Sequence, residues 1–336
     1  MKICVIGAGA IGGLVAARFG KTAETVTVID IGEHLDAIRN NGIKIINPDG
    51  SEEIVTGLRA TDSYEDAGVQ DLVVLAVKTN VLSQVAPRLA PLLSADTMIL
   101  PLQNGIPWWY FQRLDCPYEN RIVECVDPGG KIAAAIDPAC IIGCVVYPAG
   151  EIVAPGVIKH VEGNRFPVGE LDGVTTDRLN RIIELFTAAG FKSFALDDIR
   201  SEIWLKLWGN LSFNPISALT HATLVDICQF PLTRQLAADM MREAQQIAEH
   251  LGAGFRLPLT KRIEGAEKVG KHKTSMLQDV EAGRPLEIDA IISAVVEFGQ
   301  MTNIETPAIN AVHALIQLLD RTMREDHGAV QLRHVA

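Results

Sequence analysis

Three polar residues, Lys206, Asn210 and Asn214, recur at every fourth position of the otherwise apolar stretch KLWGNLSFNP. In an α-helix each step of four advances only about 40° beyond a full turn, so the three share one side. If that side met solvent, Trp204, Leu205, Leu207, Trp208, Leu211 and Phe213 would have to bury almost the whole remaining circumference. The stripe is therefore expected to face a cleft. A lysine in a cleft must be hydrogen-bonded or carry a large desolvation cost. Burial lowers its pKa toward the range where it exchanges a proton at neutral pH. The plainer alternative is a surface lysine beside two local asparagines. Pro215 disfavours helical geometry at Asn214, so the stripe is expected to end at a helix junction, with Asn214 capping a second helix that starts at Pro215.

Other residues suit the same chemistry. In HKTSMLQDVEAGRPLEIDAI the Ser275 hydroxyl suits a substrate carboxylate, and Glu287 suits a partner for the lysine or a ribose. The two serve equally well as an N-cap and a helix-surface acid. Upstream, AVKTN places Lys78, and LQNGIP places Asn104 and Gly105, just beyond apolar runs of strand length. Open α/β sheets bind ligands at such strand ends, although NG is also a common turn pair.

Near the N-terminus, Gly7, Gly9 and Gly12 form G-x-G-x-x-G where a strand passes into a helix. The first glycine permits a tight turn, the second lets the backbone approach a pyrophosphate, and the third lets helix and sheet pack closely. The helix start, with Ala10 and Ile11, supplies unpaired N–H groups for the anion. Asp30 ends the second strand, where a carboxylate can accept both hydroxyls of an adenosine ribose and repel a 2'-phosphate. Its other reading is a turn residue before Gly32. Ile31, Gly32, Glu33 and His34 include no arginine, and Arg39 and Lys44 are the next cations within reach. NAD is the local expectation.

Two kinds of element must position these residues. KICVIG, TVTVID, DLVVLAV and TMILPLQ read as strands, with AIGGLVAARFGK as a helix between the first two. Strands apolar on both faces belong to a parallel sheet covered by helices on each side, which is the doubly wound Rossmann pattern. Residues 140–168 read as further strands that extend this sheet, with PAGE and EGNR as antiparallel hairpin connections. TTDRLNRIIELFTAAGF is an amphipathic helix, and from about 197 onward the pattern is helical throughout. The fold class is therefore α/β, a dinucleotide-binding domain over 1–190 followed by an all-helical domain over 191–330. Long helices of this kind can also bury an interchain face, so a homodimer is compatible with the pattern.

At 336 residues, 48% of them hydrophobic, the chain exceeds what one core usually serves, which agrees with two domains. Its 30 basic against 41 acidic residues give a net charge of -11 without a basic tract, which argues against nucleic acid. No run of 18 uncharged apolar residues suggests a membrane span. MKICVIGAGAIGG begins as a signal peptide would, but it leads straight into the spaced glycines and reads as a first strand. The six cysteines show neither CxxC nor ligand spacing, so free thiols, a reducing cytoplasmic setting and no metal are expected.

Taken together, GAGAIGG, HLDAIRNNG, VKT, LQNG, KLWGN with its NP, and KTSMLQDVEAGRPLEIDAI resemble the ketopantoate reductase family over nearly the whole chain. The resemblance implies a Rossmann domain, a helical domain and an active site in the cleft between them. It further implies reduction of ketopantoate to pantoate by NAD(P)H in pantothenate biosynthesis, or of another 2-keto acid by an NAD-dependent member. Lys206 matches the family's catalytic lysine, and Asn210 and Asn214 match the asparagines that help hold substrate. Asn104 matches the asparagine contacting nicotinamide and substrate, and Lys78 the lysine after the third-strand motif. Ser275 and Glu287 match positions that bind substrate and support the closed site. NADP is usual for the family, whose NADP-dependent members often carry an arginine just after strand two. This chain has Asp30-Ile31-Gly32 there.

Overall fold

The computed structural model describes residues 1–332. In chain order its strands are β1 (Lys2–Ile6), β2 (Thr25–Ile29), β3 (Ile43–Ile46), β4 (Glu52–Val55), β5 (Arg59–Thr61), β6 (Leu72–Leu75), β7 (Met98–Pro101), β8 (Ile142–Cys144), β9 (Ala149–Ala154), β10 (Val157–Glu162) and β11 (Val168–Glu170). The described chain divides into two compact units. One comprises Met1–Asn104, Trp108–Ile122 and Asp127–Ile199; the other comprises Gly105–Pro107, Val123–Val126 and the described chain from Arg200 onward.

In the first unit, β1, β2, β5, β6 and β7 form a parallel sheet in the order β5-β2-β1-β6-β7. Residues Ile3–Ile6 and all of β6 and β7 are buried, which is why these strands are continuous apolar runs rather than alternating ones. Helix Ala10–Phe19 follows β1 and buries Leu14, Val15, Ala16, Ala17 and Phe19. Helix Asp177–Ala188 is capped by Thr176 and buries Leu179, Ile182, Leu185 and Phe186. Phe186 stacks on Phe166 with ring centroids 4.7 Å apart.

Residues 140–168 depart from expectation. They do not extend the parallel sheet: β9 and β10 join β3 and β4 in a separate sheet of order β4-β3-β10-β9, while β8 and β11 form an antiparallel pair. A single parallel bridge, Ile99 to Ile141, reaches from β7 toward β8. The buried face of the separate sheet, with Ile45 and Ile158, covers helix Ala10–Phe19. An added Cβ at Gly13 would lie 2.1 Å from Ile158 Cδ1. The hairpin turns at Pro155-Gly156, with Gly156 at φ +73°, whereas most of PAGE already belongs to β9. EGNR leads out of β10 to a strand that pairs elsewhere. Turn composition marks a reversal here but not which neighbour each strand chooses.

The second unit is helical from Arg200 onward among the described residues. Helix Ile199–Thr220 is its most buried long element, with Trp204 packed near Phe298 and Trp208 donating from Nε1 to the Met241 carbonyl at 2.6 Å. The expected junction at Asn214 does not occur, because the helix runs through Pro215 to Thr220. An internal proline costs about 3 kcal/mol. Each buried Leu, Phe or Ile side chain contributes about 1.5–3 kcal/mol, and Leu211, Phe213 and Ile216 are all buried around the proline. Packing outweighs the local preference. No helix of the described residues is long and apolar enough to cross a membrane.

Candidate active site

In the first unit the glycine turn is built almost wholly from backbone. Gly7 has φ +89°, and its N–H donates to the Ile29 carbonyl at 2.8 Å, tying the turn to the end of β2. An added Cβ at Gly12 would lie 1.9 Å from the Gly7 carbonyl oxygen and 2.7 Å from Ala76 Cβ, so helix and sheet touch there. At Gly9 an added Cβ would meet nothing within 4 Å. Gly9 also caps helix Ala10–Phe19 without a side-chain hydrogen bond, and no acidic residue occupies the first turn. The first N–H groups of the helix lie at the positive end of its dipole, next to the open space at Gly9.

Asp30 lies directly against this turn. Its Oδ2 accepts from Ala8 N at 2.5 Å and its Oδ1 from Ile31 N at 2.7 Å. A carboxylate accepts about four hydrogen bonds, so capacity remains for ribose hydroxyls. The two basic residues within sequence reach are engaged elsewhere. Arg39 donates to the Ala60 carbonyl at 3.0 Å and to Asp62 at 2.8 Å, and Lys44 pairs with Glu52 at 2.7 Å. The turn, the uncapped helix start and the Asp30 carboxylate fit a dinucleotide.

Lys78 and Asn104 are brought to neighbouring strand ends. β6 and β7 pair in parallel with Leu75 opposite Pro101, and each residue follows three positions later. Gln103, which no motif singles out, joins the two loops: its Nε2 donates to the carbonyls of Leu75 and Val77, both at 2.9 Å. Gln103 Oε1 and Thr79 Oγ1 are buried without a hydrogen-bond partner among the described residues. Buried unpaired polar atoms at these strand ends suit contact with a bound polar group. His34 is a second structural participant that the sequence does not mark; its ring bridges Ala8 and Gly156. Both contacts depend on which loops meet, and no local pattern carries that information.

In the second unit the polar stripe is present. From Glu202 to Ala218, Lys206 and Asn210 alone retain appreciable exposure, and Asn214 completes the row at 7% exposure. Neither asparagine side chain forms a hydrogen bond with the described residues. The row also starts one turn earlier than the sequence suggests: Glu202, buried at 2% exposure, lies four residues before Lys206 and is paired with Arg256. Gly209 is small because the Arg262 guanidinium crosses it; an added Cβ would lie 1.9 Å from Arg262 Nη2. A lone glycine in a helix hints at a close approach, but not at an arginine.

Ser275 is not a cap. Thr274 fills that role, accepting from Leu277 N at 3.3 Å, which leaves Ser275 exposed as the first residue of helix Ser275–Glu281. Glu287 precedes the π-helical turn Asp289–Ser293. The wider turn presents the Ala290 carbonyl to Ile106 N at 2.7 Å, and an added Cβ at Gly105 would lie 2.3 Å from that same oxygen. π-helical turns concentrate at functional sites. Glu297 holds the backbone N–H groups of Glu124 and Cys125, each at 2.9 Å. Burial pushes the Cys125 thiol far up, with Glu297 and Asp289 adding to the effect.

Comparison with known proteins agrees with these features. Residues 3–109 match the family model described as ketopantoate reductase PanE/ApbA, and residues 198–320 match the model of its C-terminal part. A 2-dehydropantoate 2-reductase of Mesorhizobium japonicum is 50% identical over 320 residues, covering 95% of this chain and 98% of that protein. A crystal structure from Ralstonia solanacearum MolK2, provisionally assigned as a ketopantoate reductase, superposes with a TM-score of 0.91 at 36% identity, covering 96% and 98% of the two chains. D-mandelate dehydrogenase in ternary complex with NADH and anilino(oxo)acetate superposes with a TM-score of 0.81 at 19% identity, covering 96% and 100%, which shows a common fold alone.

Proposed function

The chain belongs to the ketopantoate reductase family, and from that premise we propose that it is a 2-dehydropantoate 2-reductase, reducing ketopantoate to pantoate with NAD(P)H in pantothenate biosynthesis. The observation that carries this reading is the row Lys206, Asn210 and Asn214 on a helix whose other central residues are buried. A buried helix that keeps one ammonium and one carboxamide reachable, with a second unengaged carboxamide buried one turn on, suits a polar ligand.

The coenzyme, when bound, supplies a hydride to the keto carbon of the substrate. Lys206 donates a hydrogen bond to the keto oxygen and then the proton that neutralises the alkoxide. Asn210, Asn214 and Ser275 hold the carboxylate and the neighbouring hydroxyl. Asn104, fixed by its place after β7, orients the substrate, and Glu287 supports the lysine. Gly7, Gly9, Ala10, Ile11 and Gly12 receive the pyrophosphate, Lys78 lies along the coenzyme, and Asp30 takes the adenosine ribose. The engagement of Arg39 and Lys44 supports NADH over NADPH.

A second reading is an NAD-dependent reductase of another 2-keto acid, and Asp30 is the feature that favours it. Steady-state turnover of ketopantoate and a panel of 2-keto acids with NADH and NADPH separates the two. Ketopantoate is expected to give the highest kcat/KM. A higher value with a branched or aromatic 2-keto acid selects the second reading.

A further inference from the structure

His34 has no place in the function just described, yet it ties the glycine turn to the separate sheet. It sits in the first turn of helix Gly32–Asn41. Its Nε2 lies 2.8 Å from the Ala8 carbonyl oxygen, and Gly156 N donates to its Nδ1 at 3.1 Å. A backbone N–H can only donate, so Nδ1 is the unprotonated acceptor. Nε2 therefore carries the proton and donates to Ala8. The two contacts together define a neutral ring in one tautomer.

Ala8 lies between the first two glycines, and both of its polar groups are held. Its N–H goes to Asp30 Oδ2 at 2.5 Å, and its carbonyl accepts from His34. Gly9 follows with open space around it and no side-chain cap, so the turn has few contacts of its own at that point. The other end of the bridge is firm. Gly156 is the left-handed turn residue between β9 and β10, and its carbonyl accepts from Lys44 N at 2.8 Å. The sheet behind it also meets the helix start, where an added Cβ at Gly150 would lie 3.5 Å from the Ala10 carbonyl.

We propose that His34 is a positioning residue for coenzyme binding: by bridging the Ala8 carbonyl and the Gly156 amide, its neutral imidazole holds the Gly9–Ile11 backbone in the orientation that receives the pyrophosphate. It acts through Ala8, and the proposal rests on the dinucleotide reading of the first unit. A turn released from the bridge samples more orientations, and apparent affinity falls with the fraction that remains competent. The pyrophosphate is common to both coenzymes, so NADH and NADPH must weaken by the same factor. A change at Asp30, by contrast, alters their ratio.

The test is fluorescence titration of the full chain with NADH and NADPH for wild type, His34→Leu, His34→Asn and His34→Gln, beside thermal unfolding and kcat at saturating coenzyme. His34→Leu is expected to weaken both coenzymes by about tenfold, as the loss of a net hydrogen bond or two implies, with kcat within about twofold of wild type. His34→Gln, whose amide N–H reaches about as far as Nε2, should recover most of the affinity. His34→Asn, too short to donate to Ala8, should not. A folded His34→Leu with unchanged affinities overturns the proposal, and so does weakening confined to one coenzyme. If His34→Leu does not fold, equal affinities of the Gln and Asn variants overturn it. A wild-type chain that binds neither coenzyme overturns the dinucleotide reading and this proposal with it, whereas coenzyme binding without ketopantoate turnover sinks only the substrate assignment.

Discussion

At the glycine turn the proposed ligand contacts are main-chain N–H groups, beside open space because Gly9 has no side chain and no neighbour within 4 Å of where one would begin. Along helix Ile199–Thr220 they are side-chain ends, offered by Lys206 and Asn210 from a helix otherwise packed on nearly every side. The first arrangement depends on what is missing from the sequence, the second on what is placed in it. Substitutions should therefore fail differently: at the turn by adding atoms, on the helix by removing them.

The largest expected effect is on the helix. Lys206→Ala should lower kcat and kcat/KM by about 10²- to 10³-fold, the range seen when one electrostatic donor to a developing oxyanion is removed. Coenzyme affinity should hardly change, because the glycine turn and Asp30 belong to the other unit. Near-normal turnover by the folded variant would remove Lys206 as proton donor.

At the turn, two neighbouring glycines should separate stability from binding. Gly12→Ala puts a Cβ 1.9 Å from the Gly7 carbonyl oxygen, and backbone cannot yield as a side chain can. A cost of about 3 kcal/mol should lower Tm by roughly 6–12 °C. Gly9→Ala meets no protein atom, so its Tm should stay within about 1 °C of wild type while NADH binds about tenfold more weakly, the new methyl group standing where the pyrophosphate approaches. Calorimetry and NADH titration of both variants check the contrast. Loss of Tm in Gly9→Ala, or unchanged Tm in Gly12→Ala, would reverse the assignment of the two glycines.

The same contrast governs how much of the molecule is legible in its sequence. The G-x-G-x-x-G spacing is local, and β1, its helix and the roles of Gly7 and Gly12 follow from it. The lysine stripe is legible because polar residues at every fourth position of a helix fall on one side, and desolvation disfavours burying the lysine of that side, although Asn214 at its end is buried. Pro215 misleads because a local rule gives way where Leu211, Phe213 and Ile216 are buried around it. Strands β9 and β10 are recognisable as strands, but the pairing of β10 with β3 joins segments more than 100 residues apart, and no turn residue encodes that choice. Gln103, His34 and Glu202 escape a sequence reading for a related reason: each acts on a partner that only the folded chain brings near.

Coenzyme choice carries an effect no larger than that at Gly9 and tests the turn through a side chain rather than through backbone. On the proposed reading, in which Asp30 takes the adenosine ribose, kcat/KM should be higher with NADH than with NADPH. Its margin is limited by Arg39. The Arg39–Asp62 pair is partly exposed, and such pairs are worth about 0–1 kcal/mol, so swinging the guanidinium toward a 2'-phosphate would cost little beyond its bond to the Ala60 carbonyl. Converting the preference requires a donor beside the ribose and less repulsion. Ile31 is 76% exposed, so an arginine there displaces no core atoms. Replacing Asp30 by alanine would also release the Ala8 N–H and loosen the turn for both coenzymes, whereas asparagine keeps one acceptor. The double substitution Asp30→Asn, Ile31→Arg is therefore expected to shift the NADPH/NADH ratio of kcat/KM by about tenfold, since it removes a charge repulsion and adds a forked donor suited to phosphate. Rates at subsaturating coenzyme with one good 2-keto acid measure it. A wild-type preference for NADPH of about tenfold or more would mean that Arg39 or Lys44 does leave its carboxylate for the phosphate, and Arg39→Ala and Lys44→Ala would then abolish that preference one residue at a time.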